Sequence, residues 1–156
     1  MTGSVSLRPV EAADLPIFFA HQADPESCRM AAFPSRDHAA FMAHWQNNIL
    51  GHPTNASRTI LADAQVIGNI CAWTAGGTRY LGYWIGREHW GRGLASAALA
   101  AFLQSEKARP LTAQVVKHNL GSIRVLEKNG FARTHAEAFT LPDGTRLEEL
   151  TYTLLA

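Results

Sequence analysis

The sequence predicts a mixed α/β fold, one domain over residues 1–156 built on a single twisted sheet. Three observations predict it. Leu81–Ala101, LGYWIGREHWGRGLASAALAA, runs from an aromatic and β-branched segment through spaced glycines into an Ala/Leu-rich helix. Two turn signals, around Asp63-Ala64-Gln65 and at Gly76-Gly77, separate short apolar runs before that stretch. After it come a strand, a short helix and a final hairpin, with no repeat, linker or low-complexity segment.

Taken in order, Ser4–Arg8 alternates and ends at Pro9, which marks a first strand. Glu11–Asp14 leads a helix, with Asp14 as its cap and Leu15, Phe18 and Phe19 on the inner face. Asp24-Pro25-Glu26 breaks that helix, and Met30–Pro34 reads as an apolar loop. Asp37 or Ser35 caps a second helix through about Leu50, where Phe41, Trp45 and Ile49 recur every four residues as one buried stripe. Thr59–Leu61 and Val66–Trp73 form a hairpin, and Gly76-Gly77 turns into the central strand. The helix after the glycine loop extends to about Lys107, and Pro110 stops the chain. Leu111–Lys117 is the next strand. A short helix then ends at Gly130, a residue suited to a helix C′ position. Two last strands flank Pro142-Asp143-Gly144.

Composition narrows the function. The chain has 156 residues, enough for one hydrophobic core, and a net charge of +1, which gives no electrostatic case for nucleic acid or an anionic membrane. No apolar run reaches the roughly 20 residues that cross a bilayer. Neither a basic leader nor an apolar signal segment opens the sequence, so a cytoplasmic location is expected. Cys28 and Cys71 are then expected to be free thiols rather than a disulfide. The seven histidines show no ligand spacing, and no metal is expected.

The central stretch carries the chemistry. A strand, a loop spaced by Gly91 and Gly93 and a helix N-terminus make an anion cradle, because the first helical N–H groups lack intrahelical partners. Leu94 and Ala95 stand where a Walker loop needs Lys and Ser/Thr, and the dinucleotide fingerprint lacks its third glycine and its acid. The loop resembles the pyrophosphate loop of the GCN5-related N-acetyltransferases (GNAT), Gln/Arg-x-x-Gly-x-Gly/Ala, with Gly93 and Ala95 as the small positions. Trp90 replaces the Gln/Arg. That Trp is similar to the ribosomal-protein N-acetyltransferase (RimJ/RimL-like) group, which reads GYWI…WGxGxA. Asn119-x-x-Ser122-x-x-Val125-Leu126-Glu127-Lys128-Asn129-Gly130-Phe131 resembles the second motif of that group, at the matching distance.

The resemblance implies a mostly antiparallel sheet with one splayed parallel strand pair, often opened by a bulge, and about four flanking helices. It implies that the pantetheine arm of acetyl-CoA enters the splay and bonds to the backbone of Trp84 and Ile85. The pyrophosphate would lie on the N–H groups of Arg92, Gly93, Leu94, Ala95 and Ser96, with Trp90 and Gly91 of the same loop also binding the cofactor. Asn119 would hold the pantetheine, Ser122 would protonate the departing thiolate, and Arg124 and Lys128 could contact the nucleotide end. The residue types also allow plainer roles. Asn119 and Ser122 suit a helix cap, Gly93 and Ala95 suit close helix–sheet packing, and Arg92, Arg124 and Lys128 suit a solvated face. Trp84 is placed at the acyl pocket, while Trp45 and Trp73 suit the core.

The general base stays open. Tyr80 and Ala97 occupy positions where relatives often carry Glu. Glu88, His89, His44, His21 and Glu149 are the candidates, beside a water chain or attack by an already neutral amine. The function implied is an acetyl-CoA-dependent N-acetyltransferase acting on a primary amine, either a peptide N-terminus or a small molecule, as a monomer or homodimer. A catalytically silent acyl-CoA-binding, sensing module is the alternative, favoured by the missing strand Glu.

Overall fold

A computed structural model describes residues 4–156; the first three residues of the domain expected over 1–156 lie outside the described residues. The strands are β1 (Val5–Pro9), β2 (Ala56–Ala62), β3 (Gln65–Ala75), β4 (Thr78–Ile85), β5 (Leu111–Val116), β6 (Ala132–Thr140) and β7 (Arg146–Leu154). The helices are α1 (Leu15–Ala23), α2 (Pro25–Ala31), α3 (His38–His44), α4 (Leu94–Phe102) and α5 (Leu120–Lys128). The strands make one sheet in the order β1-β2-β3-β4-β5-β7-β6. All pairs are antiparallel except β4–β5.

Two apolar clusters cover the two faces of this sheet. Leu94, Leu99 and Phe102 of α4 and Leu126 of α5 join Ile60, Leu81, Ile85 and Leu111 in the larger one. Leu15 and Phe18 of α1 join Phe41 and Trp45 in the smaller, with Ile49 packed against it, so the four-residue stripe read from sequence is buried as expected. Asp37 caps α3, accepting from Ala40 N–H, and the helix continues as a wider π-turn over Trp45–Ile49.

Four local expectations need correction. Asp14 is not the cap of α1, since its side chain takes no cap bond there. Instead it closes the preceding 3-10 turn by accepting from Glu11 N–H at 2.8 Å. Its carboxylate also accepts two bonds from the Arg8 guanidinium, at 2.7 and 2.8 Å, and one from Thr59 Oγ1 at 2.7 Å. A buried carboxylate requires that many partners. Second, Pro25 does not only break α1 but also starts α2: its fixed φ suits the first helical position, and Asp24 caps it from Ser27 N–H at 3.0 Å. Third, α4 stops at Phe102, well before Lys107: a turn over residues 103–105 follows, and the chain bends at Arg109-Pro110. Fourth, no register shift separates β3 from β4, so the splay described below is not produced by a bulge in that pair.

Candidate active site

Pairing between β4 and β5 stops early. The two strands match only at Arg79↔Leu111, Tyr80↔Thr112 and Leu81↔Ala113. Beyond that point β4 stays bonded to β3 as far as Ile85, and β5 stays bonded to β7 as far as Val116. Each strand follows its other neighbour, and a wedge opens between them.

The backbone facing the wedge follows from strand alternation. Gly86 N–H bonds to Ile67 O at 2.9 Å, so the antiparallel ladder turns the groups of Trp84 toward β3 as well. The Trp84 carbonyl lies so close to Gly68 that a Cβ there would meet its oxygen at 2.2 Å. Tyr83 and Ile85 are therefore the residues whose N–H and C=O groups face the wedge. Of the two residues expected to offer backbone groups there, Ile85 faces the wedge and Trp84 faces β3, with Tyr83 on the wedge side instead. The Ile85 carbonyl already accepts from the Trp90 indole N–H at 3.0 Å, which ties the loop to the strand end.

The loop has the shape of an anion cradle. Gly91 and Gly93 both hold φ near +75°, a left-handed conformation that L-residues rarely adopt. An added Cβ at either would meet no heavy atom within 4 Å, so neither glycine is there for close packing. Gly93 offers no side chain to cap α4, and the first helical bond is Ala97 N–H to Gly93 O at 3.2 Å. The N–H groups of Leu94, Ala95 and Ser96 thus begin the helix without a side-chain cap. Ser96 Oγ and its carbonyl accept from Asn129 Nδ2, each at 3.3 Å, and join α4 to α5. Arg92, Arg124 and Lys128 are exposed and make no salt bridge among the described residues.

Past the wedge lies a cavity of about 650 Å³ under α1, α2 and α3, walled by Phe33, Phe41, Trp45, Trp73 and Trp84. Trp84 is held by its indole N–H to His21 O at 3.2 Å and by an edge-on contact with Phe33. Asn119 and Ser122 line the same cavity from the start of α5. Asn119 is the N-cap, accepting from Ser122 N–H at 3.2 Å. Ser122 uses its hydroxyl elsewhere, 2.7 Å from Tyr83 Oη.

The five base candidates separate cleanly. Among them only His44 and Glu149 line the cavity, and Glu149 is the one carboxylate on its wall. His44 Nδ1 is 3.1 Å from Asn48 Nδ2, which places the ring proton on Nε2 when the imidazole is neutral. Burial, helped by the Arg36 charge, pushes its pKa down. His21 and Glu88 instead line a second pocket, with Arg87 and Asp24. His89 is buried with neither ring nitrogen hydrogen-bonded. Tyr83, Arg36 and Gln114 are site residues that the sequence reading did not single out. For Tyr83 the alternation Leu81, Tyr83, Ile85 was a usable signal, since it sends that side chain to the α5 side. No group of three or more His, Cys, Asp or Glu residues is arranged for a metal among the described residues. No described helix is long and apolar enough to cross a membrane.

A split parallel pair, a glycine loop opening a helix and a cavity beyond them define an acyltransferase scaffold. Residues 4–132 match the family model described as the acetyltransferase (GNAT) domain, and the chain belongs to that family. It is an acyltransferase. Among solved structures, a T. thermophilus protein provisionally assigned as an acetyltransferase is 27% identical, with 97% of this chain and 85% of that chain covered and a TM-score of 0.72. A GNAT-family acetyltransferase from Bacillus anthracis shares this fold at 20% identity, covering 99% and 96%, with a TM-score of 0.81. Mycobacterium smegmatis RimJ, solved in complex with CoA-disulfide, shares it at 23% identity, covering 99% and 83%, with a TM-score of 0.76. A search of curated proteins returned no match.

Proposed function

We propose that the protein transfers an acetyl group from acetyl-CoA to a primary amine, with a RimJ/RimL-like kinship read from its GYWI and N-x-x-S motifs. The observation that carries this is the wedge: the unpaired parts of β4 and β5 line the aromatic cavity together with Asn119 and Ser122, and β4 continues into the glycine loop that starts α4. The N–H groups of Leu94 to Ser96 and the open surface of Gly91 and Gly93 suit a pyrophosphate, with Arg92 beside them. The backbone of Tyr83 and Ile85 suits an added strand-like arm, and Asn119 lies along its path. Acetyl-CoA supplies a thioester that an amine attacks directly, so no covalent enzyme intermediate is required. An N–H from β4 would polarise the thioester carbonyl as negative charge develops on it.

Acceptor chemistry follows from the cavity wall. Indole and phenyl faces suit the apolar body of an amine, and Glu149 suits its ammonium or the proton it loses. The RimJ/RimL-like motifs favour a peptide N-terminus as acceptor, and a small amine is the second class, in keeping with an aminoglycoside acetyltransferase that shares this fold at 18% identity. Both cysteines are free, which suits a reducing compartment such as the cytoplasm.

Thiol release from acetyl-CoA, measured against a panel of peptides and small amines, tests the reading. Turnover with at least one amine, and a fall of about a hundredfold or more in Glu149→Gln, is expected. CoA binding without turnover of any amine would instead establish a silent acyl-CoA sensor. Absence of CoA binding would show the cradle to be misassigned.

A further inference from the structure

We propose that Tyr83 is a positioning residue for the leaving sulfur: its hydroxyl donates to Ser122 Oγ, so that the Ser122 proton points into the wedge. The inference rests on the acyl-transfer reading above. Tyr83 sits where β4 has just lost β5 as a partner, past Leu81, the last β4 residue of the parallel pair. Its backbone faces the wedge while its side chain crosses to α5. The Oη–Oγ separation of 2.7 Å, with a longer 3.3 Å approach of Oη to the Ser122 carbonyl, makes the only side-chain hydrogen-bonded link between β4 and α5 among the described residues.

The 2.7 Å separation is compatible with either hydroxyl as donor. The phenol O–H is the more acidic and the aliphatic Oγ the better acceptor, and the alternative approach of Oη to the Ser122 carbonyl is longer at 3.3 Å, so Tyr83 is taken as the donor. Ser122 Oγ has no other partner among the described residues, so its own proton remains free. Ser122 N–H is already held by Asn119 Oδ1, which fixes the first turn of α5 and hence where Oγ stands. A serine in this place without Tyr83 could instead turn its proton toward a backbone carbonyl of the helix.

The chemistry balances without a net loss of a proton from either hydroxyl. The amine nitrogen bonds to the acyl carbon, the carbon–sulfur bond breaks, and its electron pair goes to sulfur. Ser122 Oγ–H donates a hydrogen bond to that sulfur as charge grows on it. Burial pushes the Tyr83 hydroxyl up to about 12, so Tyr83 keeps its proton throughout and continues to donate to Oγ. The amine proton leaves to Glu149 or water, and the sulfur takes a proton from solvent as the thiol departs. Ser122 thereby acts as a hydrogen-bond donor rather than as the proton source assigned to it from the sequence.

The test compares the parent with Tyr83→Phe, Ser122→Ala and the double variant. Turnover, acetyl-CoA affinity and melting temperature are measured on each. Tyr83→Phe is expected to lower kcat about tenfold, the value of one good hydrogen bond, with acetyl-CoA affinity unchanged. In the Ser122→Ala background the same change is expected to cost nothing further. Full turnover by Tyr83→Phe, or an equal tenfold loss in both backgrounds, overturns the proposal. Incorporating 3,5-difluorotyrosine at position 83 keeps the shape and lowers the phenol pKa. It is expected to bring a new loss of kcat at high pH as the phenol ionises, and an unchanged pH profile overturns the proposal too. A parent that turns over any amine while Tyr83→Phe runs at full rate sinks this inference alone. A parent that binds CoA but acetylates nothing sinks the acyl-transfer reading with it.

Discussion

Replacing Gly93 with Ala separates the conformational role of the loop from its role toward a ligand. Gly93 lies at φ 75° and ψ 8°, in the left-handed region that costs an L-residue about 1–2 kcal/mol. A Cβ there would have no heavy atom within 4 Å, so no clash adds to the strain. In a chain of this size each kcal/mol lowers the melting temperature by about 2–4 °C, and Gly93→Ala is expected to melt about 2–8 °C below the parent. Gly76, in the β3–β4 turn outside the site, has φ 56° and equally open surroundings. Gly76→Ala is thus a matched control for the strain. CoA at about 100 times its Kd stabilises a binding protein by about 2.7 kcal/mol, a rise of about 5–11 °C here. Thermal melting with and without CoA should show that rise in the parent and in Gly76→Ala. Gly93→Ala should lose most of it, because a methyl group on the open side of the loop holds a phosphate away from the N–H groups. An equal CoA shift in both variants would refute the cradle.

Other consequences follow from the same geometry. Asp14→Asn breaks a buried ion pair and is expected to cost about 3 kcal/mol in urea denaturation at neutral pH. The Arg8 hydrogen bonds hold the Asp14 carboxyl down at about 2. Folding therefore favours its charged form, and the stabilisation is complete above about pH 4 and lost as the pH falls from 4 to 2. Denaturation midpoints at pH 7 and pH 3 should differ less in Asp14→Asn than in the parent. CoA and dephospho-CoA should differ less than about tenfold in affinity, or 1.4 kcal/mol, because Arg124 and Lys128 are exposed. A larger gap that Lys128→Glu abolishes would assign α5 the 3′-phosphate. Burial pushes the Cys71 thiol up to about 12, so mass spectrometry at pH 7 should find it far slower to alkylate than a cysteine peptide.

Much of the sheet was legible before any coordinates, since its signals are local. Turn residues at Asp63-Ala64, Gly76-Gly77 and Pro142–Gly144, with β-branched runs between them, define the strands whichever way the chain packs. The loop was legible for the same reason: glycines in the left-handed region and a bare helix start depend on the backbone alone. The helix α2 was also written locally, in Asp24-Pro25, and reading Pro25 only as a breaker hid it. The sequence by itself thus determined the order of the strands, the glycine loop that opens α4 and the buried stripe of Phe41, Trp45 and Ile49.

Tertiary structure alone decided the rest. Which β4 residues face the wedge depends on the phase of the β3–β4 ladder, and a shift of one residue exchanges Trp84 for Tyr83. The pairing of Asp14 with Arg8 and Thr59 spans 45 positions to Thr59, and no local pattern encodes it. Glu149 and His44 stand out from five candidate bases only because β7 and α3 meet at one cavity. The hydroxyl couple of Tyr83 and Ser122 lies 39 residues apart in sequence. Local propensity sets backbone shape residue by residue, whereas contacts between distant side chains exist only once the twist and register of the sheet have brought them together.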